Sequence, residues 1–178
     1  MEPRIVRLGS SLEDADAIAD LHTRSRQAAY RGLYGDAYLD HALFAVSRES
    51  WRARFADFDA GQDLILAAIE HGAPIALAYA SFRLNPTVGA LLDNLHVAPE
   101  RKGGGLGSRL LAETARWLVE DHAGAPLHLE VYAPNASALG FYRRKGGVEI
   151  ARYRETVPGG REVDVVRYRW AEPEALLA

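Results

Sequence analysis

The chain has 178 residues, with 21 Lys and Arg against 24 Asp and Glu, a formal charge of −3 and 48% apolar content, the profile of one soluble globular domain. It contains no cysteine, which excludes disulfides, thiolate nucleophiles, cysteine zinc sites and iron–sulfur clusters. The slight negative charge gives no general electrostatic reason to bind nucleic acid. No segment approaches the about 20 apolar residues that cross a bilayer, and the charged opening lacks the apolar centre of a signal peptide. The expectation is therefore a cytoplasmic protein with no nucleic-acid or membrane partner.

Ile5 to Leu8 reads as a short first strand, after which Ser10-Ser11-Leu12-Glu13-Asp14 offers a cap and an acidic first turn for a helix. Its apolar face, Ala15, Ile18, Ala19, Leu21 and His22, then Ala28 and Ala29, runs to Tyr30-Arg31-Gly32, where glycine permits a turn. A second helical stretch is predicted over Asp36 to Leu43. Ser47 then caps a third, carrying Trp51, Phe55 and Phe58 as core. Tyr30, Tyr34 and Tyr38 recur every four residues and either pack or line the mouth of a binding site.

The middle of the chain changes period. Asp63 to Glu70 and Pro74 to Leu84 read as strands of a hairpin around His71-Gly72-Ala73; Asn85-Pro86-Thr87 breaks the pattern, and Ala90 to Val97 resumes it. Beyond the glycine-rich run Arg101 to Ser108, Leu110, Leu111, Thr114, Trp117 and Leu118 mark an amphipathic helix that Gly124-Ala125-Pro126 ends. Leu127 to Tyr132 is a strand, Asn135 caps a helix to about Arg144, and Gly146-Gly147 stops it. Val148 to Val157 and Glu162 to Trp170 complete the sheet around Pro158-Gly159-Gly160, and the tail Glu172 to Ala178 reads as a fraying end.

A strand, a loop with four glycines in five positions and a helix together aim backbone N–H groups at a positive helix end, a geometry suited to phosphate. The loop lacks the Lys-Ser or Lys-Thr of a Walker A motif, and as G-x-G-x-x-G it fails at Ser108. Lys102-Gly103-Gly104-Gly105-Leu106-Gly107 does resemble the acyl-CoA-binding loop of the GNAT superfamily of N-acetyltransferases, Q/R-x-x-G-x-G/A, with Lys102 in place of Gln or Arg. A second stretch, Asn135 to Gly147, resembles the same family's N-x-x-A-x-x-F-Y-x-x-x-G-F element, with Gly147 in place of the aromatic residue.

The resemblance spans about residues 62 to 170 and implies a single mixed α/β domain. Its central, partly parallel sheet of six to seven strands is flanked by helices, with residues 1–60 as a helical segment shaping the substrate side. It implies acetyl-CoA as cosubstrate, an amine acceptor on a small molecule, peptide or protein, and no metal. Lys102, Gly103, Gly104, Gly105, Leu106, Gly107 and Ser108 would hold the diphosphate. Leu95, His96 and Val97 would pair with the pantetheine arm as an added strand, and Asn135, Ala138 and Phe141 would flank it.

Tyr142 would lie by the cofactor sulfur as general acid, or else pack beside Phe141. Asn135 is a cofactor contact, a helix cap or both. Asp93 is the first choice for the base, against an exposed strand-edge carboxylate, and His96 is the other candidate; their odd separation predicts opposite strand faces. The six histidines form no metal-ligand pattern. A noncatalytic acyl-CoA sensor or an interaction module on the same fold is the competing reading, and the assembly is open, with a homodimer among the options.

Overall fold

β2 (Asp63–Glu70) and β3 (Ala73–Ser81) are apolar along most of their length because both faces of the sheet are covered there. Leu64, Leu66, Ala76 and Ala78 join one core; Ile65, Ala67, Leu77 and Tyr79 join another on the opposite face. The computed structural model describes residues 2–85 and 87–178, so Pro86, part of the predicted break, lies outside it. The sheet has seven strands in the order β1 (Arg4–Leu8), β2, β3, β4 (Ala90–Val97), β5 (Leu127–Tyr132), β7 (Glu162–Trp170) and β6 (Val148–Thr156). Among the described residues, β4 and β5 are the one strand pair that runs parallel. This is the mixed, partly parallel α/β architecture expected.

One face is covered by α1 (Leu12–Tyr30) and α2 (Leu43–Ala56), through Ile18, Leu21, Trp51 and Phe55. The other is covered by α3 (Leu106–Asp121) and α4 (Ala136–Arg144), through Leu110, Leu111, Trp117 and Tyr142. Ser11 caps α1 as expected, its hydroxyl accepting from the Asp14 amide at 3.3 Å.

Three local expectations are corrected. Ser47 does not start a helix: a π-helical turn, Tyr38–Ala42, runs straight into α2, and Ser47 is buried in its interior. Leu39 and Leu43 drive that continuity by burying against Tyr34 and Val163. The tail does not fray, because Pro173–Leu177 forms a 3₁₀ turn whose Leu176 enters the core beneath α3. The strand expected to reach Leu84 ends at Ser81, because the buried Asp63 draws in Arg83, whose Nη2 donates to it at 2.6 Å.

The Asp63 side chain is 1% exposed and that of Arg83 36%, so removing the carboxylate leaves a guanidinium that water still reaches. Asp63→Ala is therefore expected to cost about 2 kcal/mol, below the full cost of breaking a buried pair, read as a lowered urea midpoint with unchanged slope.

Two irregularities shape the centre of the sheet. Tyr79 pairs with Asn94 but Ala80 pairs with Leu92, so Asp93 is the extra residue of a β-bulge. β4 and β5 pair only at Ala90 with Leu127 and Leu91 with His128, then part, leaving the β5-side edge of β4 unpaired from Leu92 to Val97.

Candidate active site

The parting of β4 and β5 opens a cleft through the sheet. On the α3 side lies a groove of about 520 Å³, and on the α1/α2 side a cavity of about 370 Å³. Tyr30, Leu92, Asp93, His96, Glu130 and Val131 line both and form the junction.

The groove begins at the glycine loop. Gly103 and Gly105 have φ of +83° and +79°, a left-handed conformation that side chains with a Cβ resist. Gly105 is the N-cap of α3 and supplies no side-chain acceptor, so the first-turn amides have no side-chain cap. Uncapped amides at a positive helix end, with no Cβ over them, fit a diphosphate by the chemistry of the donors themselves. Gly107 packs beside Phe141 of α4, where a Cβ would lie 3.6 Å from the ring, an ordinary contact that alanine would also make.

Leu95, His96, Val97, Lys102, Gly103, Gly105, Leu106, Gly107, Ser108, Asn135, Ala138, Phe141 and Tyr142 all line this groove; Gly104, alone of the loop residues singled out from sequence, does not. Asn135 caps α4, its Oδ1 accepting from the Ala138 amide at 3.2 Å, and it lines the groove as well. The Tyr142 ring is buried edge-on to Phe141 and Trp170, and burial pushes its phenol above the ordinary value near 10. The glycine at 147 is explained by Trp170: a Cβ there would lie 2.8 Å from the indole, which fills the space an aromatic residue at 147 would need.

Asp93 and His96 are not on opposite faces. The bulge resets the alternation, and both residues line the α1/α2 cavity and the junction. Asp93 accepts from Arg54 of α2 at 2.6 Å, an ion pair that holds it at the junction. The His96 Nδ1 lies 3.0 Å from the Ser25 hydroxyl, and burial, with Arg26 and Lys102 nearby, pushes its imidazole down to about 3. His96 is therefore neutral at ordinary pH and a poor proton acceptor, which favours Asp93 of the two expected bases.

A histidine lowered on folding takes up its proton in the unfolded chain first. Its stabilisation is present above about 6.5 and is lost as pH falls towards about 3. His96→Gln is expected to flatten the fall of the unfolding free energy between pH 6.5 and 4 by up to about 1.4 kcal/mol per pH unit, read from urea titrations at each pH.

Sequence reasoning missed several cavity residues. Glu130 on β5 sits at the junction and accepts from Arg167 at 2.6 Å. The alternation of Leu127, Leu129 and Val131 was a signal that Glu130 faces away from the core. Arg26, Tyr132 and Glu155 come from α1, β5 and β6, and nothing local marks their convergence. Tyr30 and Tyr34 stack at 4.8 Å, with Tyr132 edge-on to both, so these tyrosines pack together and line the cavity at once.

A sheet opened at its parallel pair, with an uncapped glycine-rich helix start on one side and a polar cavity on the other, is an arrangement that suits a group transferase. The model of the acetyltransferase (GNAT) family matches residues 19–147, and the chain belongs to that family. Its chemistry is accordingly acetyl-CoA-dependent acetyl transfer. No curated protein matches by sequence.

Among solved structures, the PaiA N-acetyltransferase of Thermoplasma acidophilum in complex with coenzyme A is 18% identical, with 96% of this chain and 100% of that one covered and a TM-score of 0.72. The ribosomal-protein alanine N-acetyltransferase of Escherichia coli is 25% identical, covering 94% and 92%, with a TM-score of 0.67. The yncA structure from Salmonella typhimurium, which holds acetyl-CoA, is 18% identical, covering 96% and 94%, with a TM-score of 0.67. No helix among the described residues is long and apolar enough to cross a membrane.

Proposed function

We propose that this chain, as a single domain, transfers the acetyl group of acetyl-CoA directly to the nitrogen of an amine. The supporting observation is the junction itself. Two carboxylates, Asp93 and Glu130, line both the groove that suits the donor and the cavity on the opposite side of the sheet. An amine entering from the cavity would meet the thioester there.

In this reading the loop from Lys102 to Ser108 holds the diphosphate on backbone N–H groups, and the unpaired edge of β4 at Leu95, His96 and Val97 pairs with the pantetheine. Asn135, Ala138 and Phe141 flank that arm. The neutral amine attacks the carbonyl carbon, and an amide N–H of Leu95 or His96 donates to the oxygen as negative charge grows on it. The C–S bond then breaks, and the new C–N bond remains as the acetamide.

The proton lost by nitrogen goes to Asp93, directly or through water, with Glu130 placed to share that task. Tyr142 acts at the sulfur. Its raised phenol keeps its proton through the working pH range, and full transfer to a thiolate would be uphill, so it stabilises the departing sulfur by donating a hydrogen bond. No covalent enzyme intermediate is needed. The helical segment before β2 shapes the acceptor side, and the setting we infer is the cytoplasm.

The test is release of CoA thiol from acetyl-CoA in a panel of primary amines that includes free amino acids, polyamines and a peptide with N-terminal alanine, the last suggested by the Escherichia coli relative. Amine-dependent thiol release with a matching acetamide product supports N-acetylation. Binding of CoA with no turnover across the panel would favour an acyl-CoA sensor.

A further inference from the structure

The cavity on the α1/α2 side carries more charge than a base and an acceptor mouth require. Of its ionisable groups, Arg54 is paired with Asp93, and Glu130 is paired with Arg167. Among the described residues, that leaves one cation and one anion on the cavity wall without an ion-pair partner, Arg26 and Glu155.

These two are the ends of one hydrogen-bonded chain. Arg26 Nη2 donates to the Tyr34 hydroxyl at 3.5 Å, Tyr34 lies 2.9 Å from the Tyr132 hydroxyl, and Tyr132 donates to Glu155 at 2.7 Å. Because the Tyr132 proton is committed to the carboxylate, the Tyr34 proton goes to Tyr132, and the chain has one direction. It fixes a positive end and a negative end on the same wall.

Arg26 is held but not neutralised. Its guanidinium lies over the rings of Tyr30 and Tyr34, at 5.9 and 5.4 Å, which fix its plane without supplying a counter-charge. Its only hydrogen bond among the described residues is the long one to Tyr34. None of its nitrogens is among the sealed, unpartnered atoms of the interior, and the residue lines the cavity.

A second donor has its direction set by chemistry. Trp51 Nε1–H can only donate, and it lies 2.9 Å from His22 Nδ1, so His22 carries its proton on Nε2. His22 lines the same cavity and its ring stands 4.5 Å from that of His96.

We propose that the acceptor is a dipolar amine bearing a carboxylate a few bonds from its amino group, and that Arg26 together with His22 Nε2–H receives that carboxylate. The inference rests on the N-acetyl transfer proposed above. Arg26 lies over the Tyr30 ring at 5.9 Å, and Tyr30 lines the junction, which places the guanidinium one side chain away from where the amine would react. One guanidinium and one neutral imidazole match a monoanion. A phosphate dianion would exceed the single unpaired cation and leave surplus charge on the same wall as the unpaired Glu155. Polyamines are disfavoured for the converse reason, since the paired charges leave no net negative wall to receive several cations.

The same chemistry is offered by a free amino acid and by a peptide whose first residues carry an acidic side chain, and the experiment separates them. Acceptors are compared in matched sets: an amino acid, its amide and its decarboxylated amine, and peptides with Asp or Ala in second position. Turnover is measured with acetyl-CoA, and acceptor binding by calorimetry on the CoA-loaded protein. The wild type is expected to prefer the carboxylate-bearing member at least tenfold in kcat/KM, mainly through KM. Arg26→Gln should collapse that ratio towards one, and Arg26→Lys should restore part of it because the charge returns without the planar fork.

A wild type that takes the amide or the decarboxylated amine equally well, or an Arg26→Gln variant that slows every member alike, overturns the proposal. If no amine is acetylated, the transfer reading fails, and the calorimetry still decides on Arg26: carboxylate acceptors must bind the wild type and lose at least tenfold in affinity with Arg26→Gln, or the proposal falls.

Discussion

Tyr142→Phe is expected to turn over at about one hundredth of the wild-type rate while binding CoA with unchanged affinity. The ring carries the packing: Tyr142 is 9% exposed and wedged among Phe141, Tyr168 and Trp170, with centroid distances of 5.2 to 6.2 Å. Phenylalanine keeps all of those contacts. The hydroxyl is not among the sealed, unpartnered atoms of the interior and makes no hydrogen bond to the described residues, so its removal leaves no partner unsatisfied and thermal stability should move little. What is lost is the donor at the groove where the sulfur departs, an interaction made only as charge develops, so the effect falls on kcat and spares KM. Burial holds the phenol protonated, so the wild-type profile should show no falling limb from Tyr142 up to pH 10. A variant that runs at full rate across pH would remove Tyr142 from the chemistry.

Gly105→Val should weaken CoA binding at least a hundredfold. Two effects combine. At φ +79° a β-branched residue is strained by about 1–2 kcal/mol, which loosens the first turn of α3. The side chain also stands where the diphosphate must approach the amides. A Cβ at Gly105 meets no protein atom within 4 Å, so in the free protein the cost is the backbone strain alone, and the larger loss is expected with ligand present. Gly105→Ala isolates the backbone part and should fall between the two. Calorimetric titration with CoA, alongside thermal unfolding without it, separates these contributions. Unchanged affinity in the valine variant would place the diphosphate away from the loop.

How much of this was legible in sequence depended on whether the determinant was local. Runs of apolar residues marked the central strands, Ser11 marked the start of α1, and the glycine spacing before Leu110 marked the loop at α3, because each follows from a few neighbouring side chains. The relation of Asp93 to His96 was read wrongly because strict alternation assumes a regular strand, and the bulge is set by pairing with β3. Ser47 looked like a cap because serine favours helix starts; its position inside α2 follows from burial of Leu39 and Leu43 by residues far along the chain. The tail, rich in Glu and Ala, gave no sign that Leu176 would find a place beneath α3.

The same division holds at the site. The groove proposed for the donor is lined largely by two contiguous stretches, Leu95 to Ser108 and Asn135 to Tyr142, so the residues that come together there are neighbours in sequence. The cavity proposed for the acceptor draws on α1, α2, β4, β5, β6 and β7, so Arg26, Glu130 and Glu155 acquire meaning only when the sheet brings them together.

The most direct measurement is a crystal structure with acetyl-CoA bound. The diphosphate is expected on the backbone amides from Gly103 to Ser108, with the pantetheine along Leu95 to Val97 and the thioester at the junction within reach of Tyr142. A diphosphate seated elsewhere, with these amides facing only solvent, would contradict the assignment of the groove and everything built on it.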